Sequence, residues 1–335
     1  MANDKDIIGR IFSLDGQAAF EDVTMEVFRF QFENNAVYRR FCKLLDKRPD
    51  NLNGIEEIPF LPVELFKEQR IVSFHEKEEV VFTSSSTTGS IPSRHCVKSL
   101  AVYEESFLRS FRLFYGDPGQ YCILALLPGY LERKGSSLVY MANKLMELSG
   151  HRRGGFYLDK LQDLAKLLKE LVSRGERIML LGVSFALLDL AEAFPMSLSG
   201  AVIMETGGMK GRRKEITRGE LHDTLCRAFH QQHIHSEYGM TELLSQAYSK
   251  GGGLFSCPPW MKVMIREVND PLSYLPPGRS GGVNIIDLAN LYSCSFLATQ
   301  DLGRTYDNGQ FEVLGRFDHA DIRGCNLMLS NELGQ

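Results

Sequence analysis

The chain has a single tryptophan, no Cys-x-x-Cys pair and no apolar run long enough to cross a bilayer. Each scarcity removes a class of protein. Seven cysteines, an odd number scattered from Cys42 to Cys325, make neither a disulfide framework nor a zinc-ligand spacing. A membrane helix needs about 20 consecutive apolar residues, and no stretch approaches that. The polar start, Met1-Ala2-Asn3-Asp4-Lys5-Asp6, runs into no apolar signal region, so the expectation is a cytoplasmic protein with reduced thiols. Charge of one sign is also in short supply. A net charge of −4 makes no electrostatic case for nucleic acid or an anionic membrane as partner.

What is present is a globular balance. With 44% hydrophobic and 24% charged residues over 335, the chain can bury one large core or two ordinary ones. Residues 4–48 carry helical apolar stripes: Phe20, Val23, Val27 and Phe30, then Tyr38, Phe41, Leu44 and Leu45. Prolines at 49, 59 and 62 mark a connector, and Leu61 to Lys67 reads as a short helix with proline near its start. From about residue 78 short apolar runs alternate with helical patterns. The runs are Val80–Phe82, Tyr121–Leu127, Ile178–Val183 and Ala201–Met204; helical faces are formed by Leu161, Leu164, Ala165, Leu168 and Leu171, and by Leu221, Leu225, Ala228 and Phe229. Such alternation predicts an α/β fold with mostly parallel sheets and helices packed on them. After residue 250, Gly251-Gly252-Gly253, Pro258-Pro259 and Pro276-Pro277-Gly278 separate short strand-like runs, which predicts a small β-rich part. The expected organisation is a helical region over 1–77, an α/β nucleotide-binding core over 78–250, a β-rich subdomain over 251–315 and a short tail over 316–335.

Four motifs carry chemistry. Thr83, Ser84, Ser85, Ser86, Thr87 and Thr88 run into Gly89 directly after an apolar strand. Side-chain hydroxyls and closely spaced amides suit such a loop to a phosphate chain, although a Ser/Thr-rich surface loop is the plain alternative. No Lys-Ser or Lys-Thr pair follows at Walker spacing. The second motif, Ser236-Glu237-Tyr238-Gly239-Met240-Thr241-Glu242, joins an aromatic ring and a glycine turn to a carboxylate, Glu242, able to hold magnesium through oxygen. Its plain alternative is a strand–helix junction with an acidic first turn. The third, Thr299-Gln300-Asp301-Leu302-Gly303, reads as a turn whose aspartate accepts ribose hydroxyls; alone, an ordinary turn explains it better. In the fourth, Gly315-Arg316-Phe317-Asp318, the planar fork of Arg316 leaves a strand toward ribose or phosphate, and Cys325 follows between Gly324 and Asn326.

In this order the motifs resemble the adenylate-forming superfamily of acyl-CoA synthetases, luciferases and adenylation domains, over roughly residues 78–326. Within it the chain resembles acyl-protein synthetases of bacterial-luminescence-type fatty acid reductase systems. Phe82–Ser85, Pro92–His95, Pro128–Leu138, Thr206–Gly211 and Arg323-Gly324-Cys325 carry that likeness. The resemblance implies ATP-dependent activation of a carboxylic acid, a fatty acid foremost, to acyl-AMP with pyrophosphate release. Acyl transfer to a thiol near the C-terminus then follows, placing Cys325 as acceptor. It also implies that Thr83 to Gly89 cradle phosphates, that Gly207, Gly208 and Tyr238 frame adenine beside Gly239, Met240 and Thr241, that Asp301 and Arg316 hold ribose, and that Glu242 holds Mg2+.

The chain departs from the superfamily pattern at several points. Ser86 stands where the loop usually has glycine, the usual nearby lysine is missing, and the mobile C-terminal domain with its catalytic lysine is expected to be largely absent, leaving Lys210 as a weak substitute. Three rivals stand beside this reading: an acyl- or aryl-CoA ligase using CoA, which the missing C-terminal domain weighs against; a silent nucleotide-binding partner subunit, which Ser86 and the absent lysine favour; and transfer to a carrier protein with Cys325 structural. A reductase is the other conceivable acyl acceptor. His230, His233 and His235 invite a metal reading, but a pair on one strand face without a third ligand reads as structural. Cys257 and Cys294, and the aromatic cluster of Phe28, Phe30, Phe32 and Phe41, read as core. The basic run Lys210-Gly211-Arg212-Arg213-Lys214 reads equally well as a solvated helix start.

Overall fold

A computed structural model describes residues 4–85, 91–129, 135–207, 213 and 216–317. The helical stripes of the N-terminal region become α1 (Asp4–Ile11), α2 (Gln17–Asn34) and α3 (Ala36–Leu44). Asn35 separates the last two: its side chain accepts the Tyr38 amide and caps α3. Next come β1 (Leu61–Pro62) and α4 (Leu65–Glu68). The helix expected from Leu61 therefore starts later than the proline suggested. Leu61 and Pro62 lie parallel to Leu297 and Ala298 at a sheet edge, where a proline without N–H is tolerated.

β2 (Val80–Thr83) and β3 (Arg94–Val97) form an antiparallel pair of their own, not part of the parallel sheet as expected. Only Phe82 of the four β2 residues is fully buried, so this strand is covered on one face. After α5 (Leu100–Tyr115) come β4 (Cys122–Leu126), α6 (Ser137–Ser149), β5 (Gly155–Phe156), α7 (Leu161–Ser173), β6 (Ile178–Val183), α8 (Ser184–Ala193), β7 (Val202–Thr206), α9 (Arg218–Phe229), β8 (His235–Tyr238) and β9 (Ala247–Ser249). The strands make one sheet in the order β5-β4-β6-β7-β8-β9, parallel except for the β8–β9 hairpin. Every residue of β4 and β6 is buried, as continuous apolar strands covered by helices on both faces must be. His233 lies outside β8, so the paired-histidine strand face expected from sequence does not form; burial instead holds His235 neutral, with its pKa near 4.

The last part is β10 (Met261–Arg266), β11 (Ser280–Asp287), β12 (Phe296–Thr305) and β13 (Phe311–Arg316), joined by β1 into a second sheet. The expected turn at Thr299–Gly303 lies inside β12. Thr299, Asp301 and Gly303 alternate inward with period 2, and Asp301 pairs with Arg316 across the ladder. Gly303 is required by close approach: a Cβ there would stand 2.6 Å from the Glu312 carbonyl oxygen, where the β12–β13 register shifts. The aromatic N-terminal residues are core, with Phe28 packed edge-on against Tyr38 and Phe296.

Candidate active site

The parallel sheet reverses its winding at β4. The connection from β4 runs to β5 on one side, and that from β5 crosses to β6 on the other. At such a switch point the strand ends splay and leave a crevice at the carboxyl edge. A cleft of about 150 Å3 lies there, lined by Leu127 and Pro128 after β4, Val183 of β6, Thr206 and Gly207 at the end of β7, and Glu237 to Thr241 at the end of β8, except Tyr238. Gly207 adopts φ +66°, a turn that favours glycine.

The hairpin of β2 and β3 supplies the opposite lip through Thr83 and Ser85. Its loop is anchored at both ends: Ser84 Oγ accepts the Ser93 amide at 2.9 Å, and the Thr83 amide donates to Gly135 at 2.7 Å. Ser86, Thr87, Thr88 and Gly89 lie outside the described residues, as do Gly208, Lys210 and Cys325. Of the basic run, Arg213 is described, and it pairs with Asp189 and Glu192.

The turn Met240–Glu242 is held from beneath by groups that sequence reasoning did not single out for the site. His95 Nδ1 faces the Thr241 carbonyl oxygen at 2.8 Å and Nε2 faces Asn290 Oδ1 at 3.0 Å. Burial pushes this imidazole down to about 4, against two oxygen partners that pull the other way. Asn290 also donates to the Glu242 carbonyl at 2.7 Å. Asp287 accepts the Leu244 and Ser245 amides and the Ser245 hydroxyl; desolvation pushes its carboxyl up to about 6. No short motif marks Asp287 and Asn290, which lie at the end of β11 and just after it, and His95 of β3 entered only as the last residue of Pro92–His95.

Tyr238, Asp301 and Arg316 come together although they are far apart in sequence. The tyrosine hydroxyl donates to Asp301 Oδ2 at 2.7 Å, and Arg316 Nε stands 3.3 Å from Oδ1. The Tyr238 ring is buried, edge-on to Phe255 and Phe311. Asp301 is nearly buried while the Arg316 side chain is 72% exposed, so its fork is free to turn toward a ligand. Glu242 is buried, and burial raises its carboxyl pKa; Ser93 and the charges of Arg316 and Lys67 work against that rise. Among the described residues no group of three or more His, Cys, Asp or Glu gathers in a metal-binding cluster. A lone desolvated carboxylate fits magnesium, which keeps water and phosphate oxygens as its other ligands, and does not fit zinc.

Residues 12–113 match the family model for acyl-protein synthetase, LuxE. Over that stretch the chain is similar to acyl-protein synthetases. A long-chain-fatty-acid–luciferin-component ligase of Aliivibrio fischeri is 23% identical over 346 residues, covering 96% of this chain and 90% of that protein. The corresponding ligase of Photorhabdus luminescens is 35% identical over 68 residues, 20% of this chain and 58% of that protein. Among solved structures, 2-hydroxyisobutyryl-CoA ligase with 2-HIB-AMP and CoA aligns with TM-score 0.63 at 14% identity, over 94% of this chain and 70% of its own. ATP-bound MatB from Rhodopseudomonas palustris aligns with TM-score 0.54 at 14% identity, over 72% of this chain. The chain spans about half the length of MatB, 49%. These structures establish the α/β fold expected from sequence. Among the described residues no helix is long and apolar enough to cross a membrane.

Proposed function

We propose that this chain activates a carboxylic acid with ATP and passes the acyl group to a thiol, as a cytoplasmic acyl-protein synthetase. The observation that carries the reading is the convergence of Thr83, Ser85, Thr206, Gly207, Gly239 and Thr241 on one cleft at the sheet's switch point. A carboxylate oxygen of the acid attacks the α-phosphorus of ATP. The new O–P bond forms as the bond to the β-phosphate oxygen breaks, and pyrophosphate leaves. Two anions must be brought within attack distance for this, which is a positioning problem before it is a chemical one. Thr83, Ser85 and the loop beyond them donate to phosphate oxygens, and Gly207 and Gly239 let the backbone approach the nucleotide. Asp301, oriented by Tyr238, accepts ribose hydroxyls, and Arg316 reaches over the same end. Glu242 holds magnesium, which supplies charge neutralisation at phosphate when bound.

In the second half-reaction a Cys325 thiolate attacks the acyl carbonyl carbon. The C–S bond forms, the bond from carbonyl carbon to AMP oxygen breaks, and AMP leaves; the thiol proton has gone to solvent before attack. Arg323 favours the thiolate by charge. The test is intact-protein mass spectrometry after incubation with ATP, magnesium and a panel of acids. An acyl adduct on wild type and none on Cys325→Ala is the expected result. AMP formation that requires CoA, with no adduct, replaces this reading by CoA ligation. Glu242→Ala is expected to abolish pyrophosphate release, and retained release removes it as the metal ligand.

A further inference from the structure

One cation beside the cleft has no part in the roles above. Helix α4, Leu65–Glu68, is short and fixed on two sides. Before it, Pro62 lies beside Ala298 of β12, and the Val63 amide donates to the Ala298 carbonyl at 3.0 Å, three residues ahead of Asp301. Within it, Phe66 is buried and packs edge-on against the His95 ring at 5.8 Å, and His95 in turn faces the Thr241 carbonyl. The helix therefore stands between the strand that carries Asp301 and the turn that carries Glu242. Lys67 follows Phe66, about 100° further round the helix, and is exposed. Among the described lysines, Lys47, Lys98 and Lys144 form ion pairs; Lys67 forms none. Its charge nevertheless reaches Glu242. Burial raises the pKa of that carboxyl, and Arg316 and Lys67 are the cations whose charge works against the rise.

The balance of charge says what such a lysine is for. Glu242 and Asp301 put two carboxylates at this end of the cleft, and Arg316 pairs with Asp301. A nucleoside triphosphate brings several more negative charges, and its phosphates gather beside carboxylates only where cations offset them. An ammonium on a flexible stem is a point charge able to follow a phosphate oxygen, and its hydrogen bonds to phosphate are of the strong, charge-assisted kind. We propose that Lys67 binds the β- and γ-phosphates of ATP, and the pyrophosphate they become, and takes no part in binding AMP. It moves no proton. As the bond from the α-phosphorus to the bridging oxygen breaks, the electron pair stays on the pyrophosphate oxygen, and the ammonium offsets its charge. This deepens the acid-activation reading and rests on it for the identity of the anion; the placement of the unpaired lysine rests on α4 and its neighbours alone.

The test is calorimetric binding of α,β-methylene-ATP, pyrophosphate and AMP, each with magnesium, to wild type, Lys67→Met and Lys67→Arg. Lys67→Met is expected to weaken the ATP analogue and pyrophosphate by about tenfold or more and to leave AMP within about twofold, as loss of one charge-assisted contact does. Lys67→Arg keeps the charge and is expected to recover most of the loss. The gap between wild type and Lys67→Met should narrow as salt is raised, since an exposed charge is screened. Lys166→Met is the control: this exposed lysine lies on α7, which supplies no described residue to the cleft, and the variant should bind all three ligands as wild type does. In ATP–pyrophosphate exchange, Lys67→Met should raise KM for ATP and for pyrophosphate and leave KM for the acid unmoved. The proposal is overturned if Lys67→Met binds the ATP analogue as tightly as wild type, if AMP is weakened as much as the analogue, or if Lys67→Arg does no better than Lys67→Met. A wild type that binds none of the three ligands overturns the acid-activation reading and the Lys67 assignment together. A wild type that binds all three and is matched by Lys67→Met overturns the Lys67 assignment alone.

Discussion

Glu237 shows how much a single residue's surroundings decide. Its carboxyl moves from an ordinary 4.5 to about 7 because burial removes the water that would solvate the anion, and Glu205 adds to the rise against the Thr206 hydroxyl. A folded-state pKa above the unfolded one means the folded chain holds a proton that the unfolded chain has released. That contribution is full below pH 4.5 and is lost as pH climbs through 7, a change on the order of 3 kcal/mol. Asp287 acts in the same direction with its carboxyl at about 6. His95 and His235, pushed down to about 4, act oppositely, adding stability as pH rises toward 6.5. The total profile is therefore a composite, and the informative quantity is a difference. Urea unfolding of wild type and Glu237→Gln at intervals across this window should show the wild type losing ground steadily to the variant. A difference that does not vary with pH would mean that Glu237 is solvated. Glu237 lies inside the second motif, yet nothing in that motif marks it as buried, because its burial comes from the strands packed around β8.

Two elements show where local signals suffice and where they do not. Helix α9 opens with a reciprocal cap: Thr217 Oγ1 accepts the Glu220 amide at 3.2 Å and Glu220 Oε2 accepts the Thr217 amide at 2.8 Å. This pattern is readable from spacing alone, and Thr217→Ala should cost about 1 kcal/mol in thermal or chemical unfolding. Strand β12 is the reverse case. Thr-Gln-Asp-Leu-Gly has the composition of a turn, and only pairing with β11 and β13 holds it extended. Gly303 is the point of contact, with Val283 Cγ2 2.7 Å and the Glu312 oxygen 2.6 Å from where a methyl would sit. Gly303→Ala should therefore destabilise by about 2 kcal/mol, as overpacking does, and should weaken nucleotide binding by shifting Asp301. Unchanged melting would show that β13 can move away at no cost.

At the scale of the molecule, the N-terminal helices are bound into the C-terminal sheet. Gln31 of α2 donates to the carbonyls of Asn290 and Leu291 and to Ser295 Oγ, and accepts the Ser295 amide, all buried. Gln31→Leu strands several of these groups at once and should cost about 3 kcal/mol. The lone tryptophan sits where regions meet. Trp260 Nε1 donates to Ser106 Oγ at 3.1 Å and Ser245 Oγ at 3.0 Å, and Phe12 packs edge-on at 5.1 Å. Its fluorescence therefore reports on α5, the turn after Glu242 and the N-terminal region together. We expect tryptophan emission and far-UV circular dichroism to give one coincident thermal transition, shifted as a unit by Gln31→Leu. Separate transitions would show that the N-terminal helices melt independently.

The sequence by itself determined the α/β alternation, the helical stripes and the order of the four motifs. Those are local properties: hydrophobic period, capping residues and the residue types each motif needs. Only the tertiary structure decided that Asp301 stands in a strand facing Arg316, and that Tyr238 is its hydrogen-bond partner. The same holds for Lys67, whose place between the Asp301 strand and the Glu242 turn depends on the pairing of β1 with β12 and the packing of Phe66 on His95. Burial and pairing are sums over distant segments, so no window of sequence contains them. A carboxylate's pKa, a lysine's lack of a partner and the shape of the cleft are properties of the folded whole.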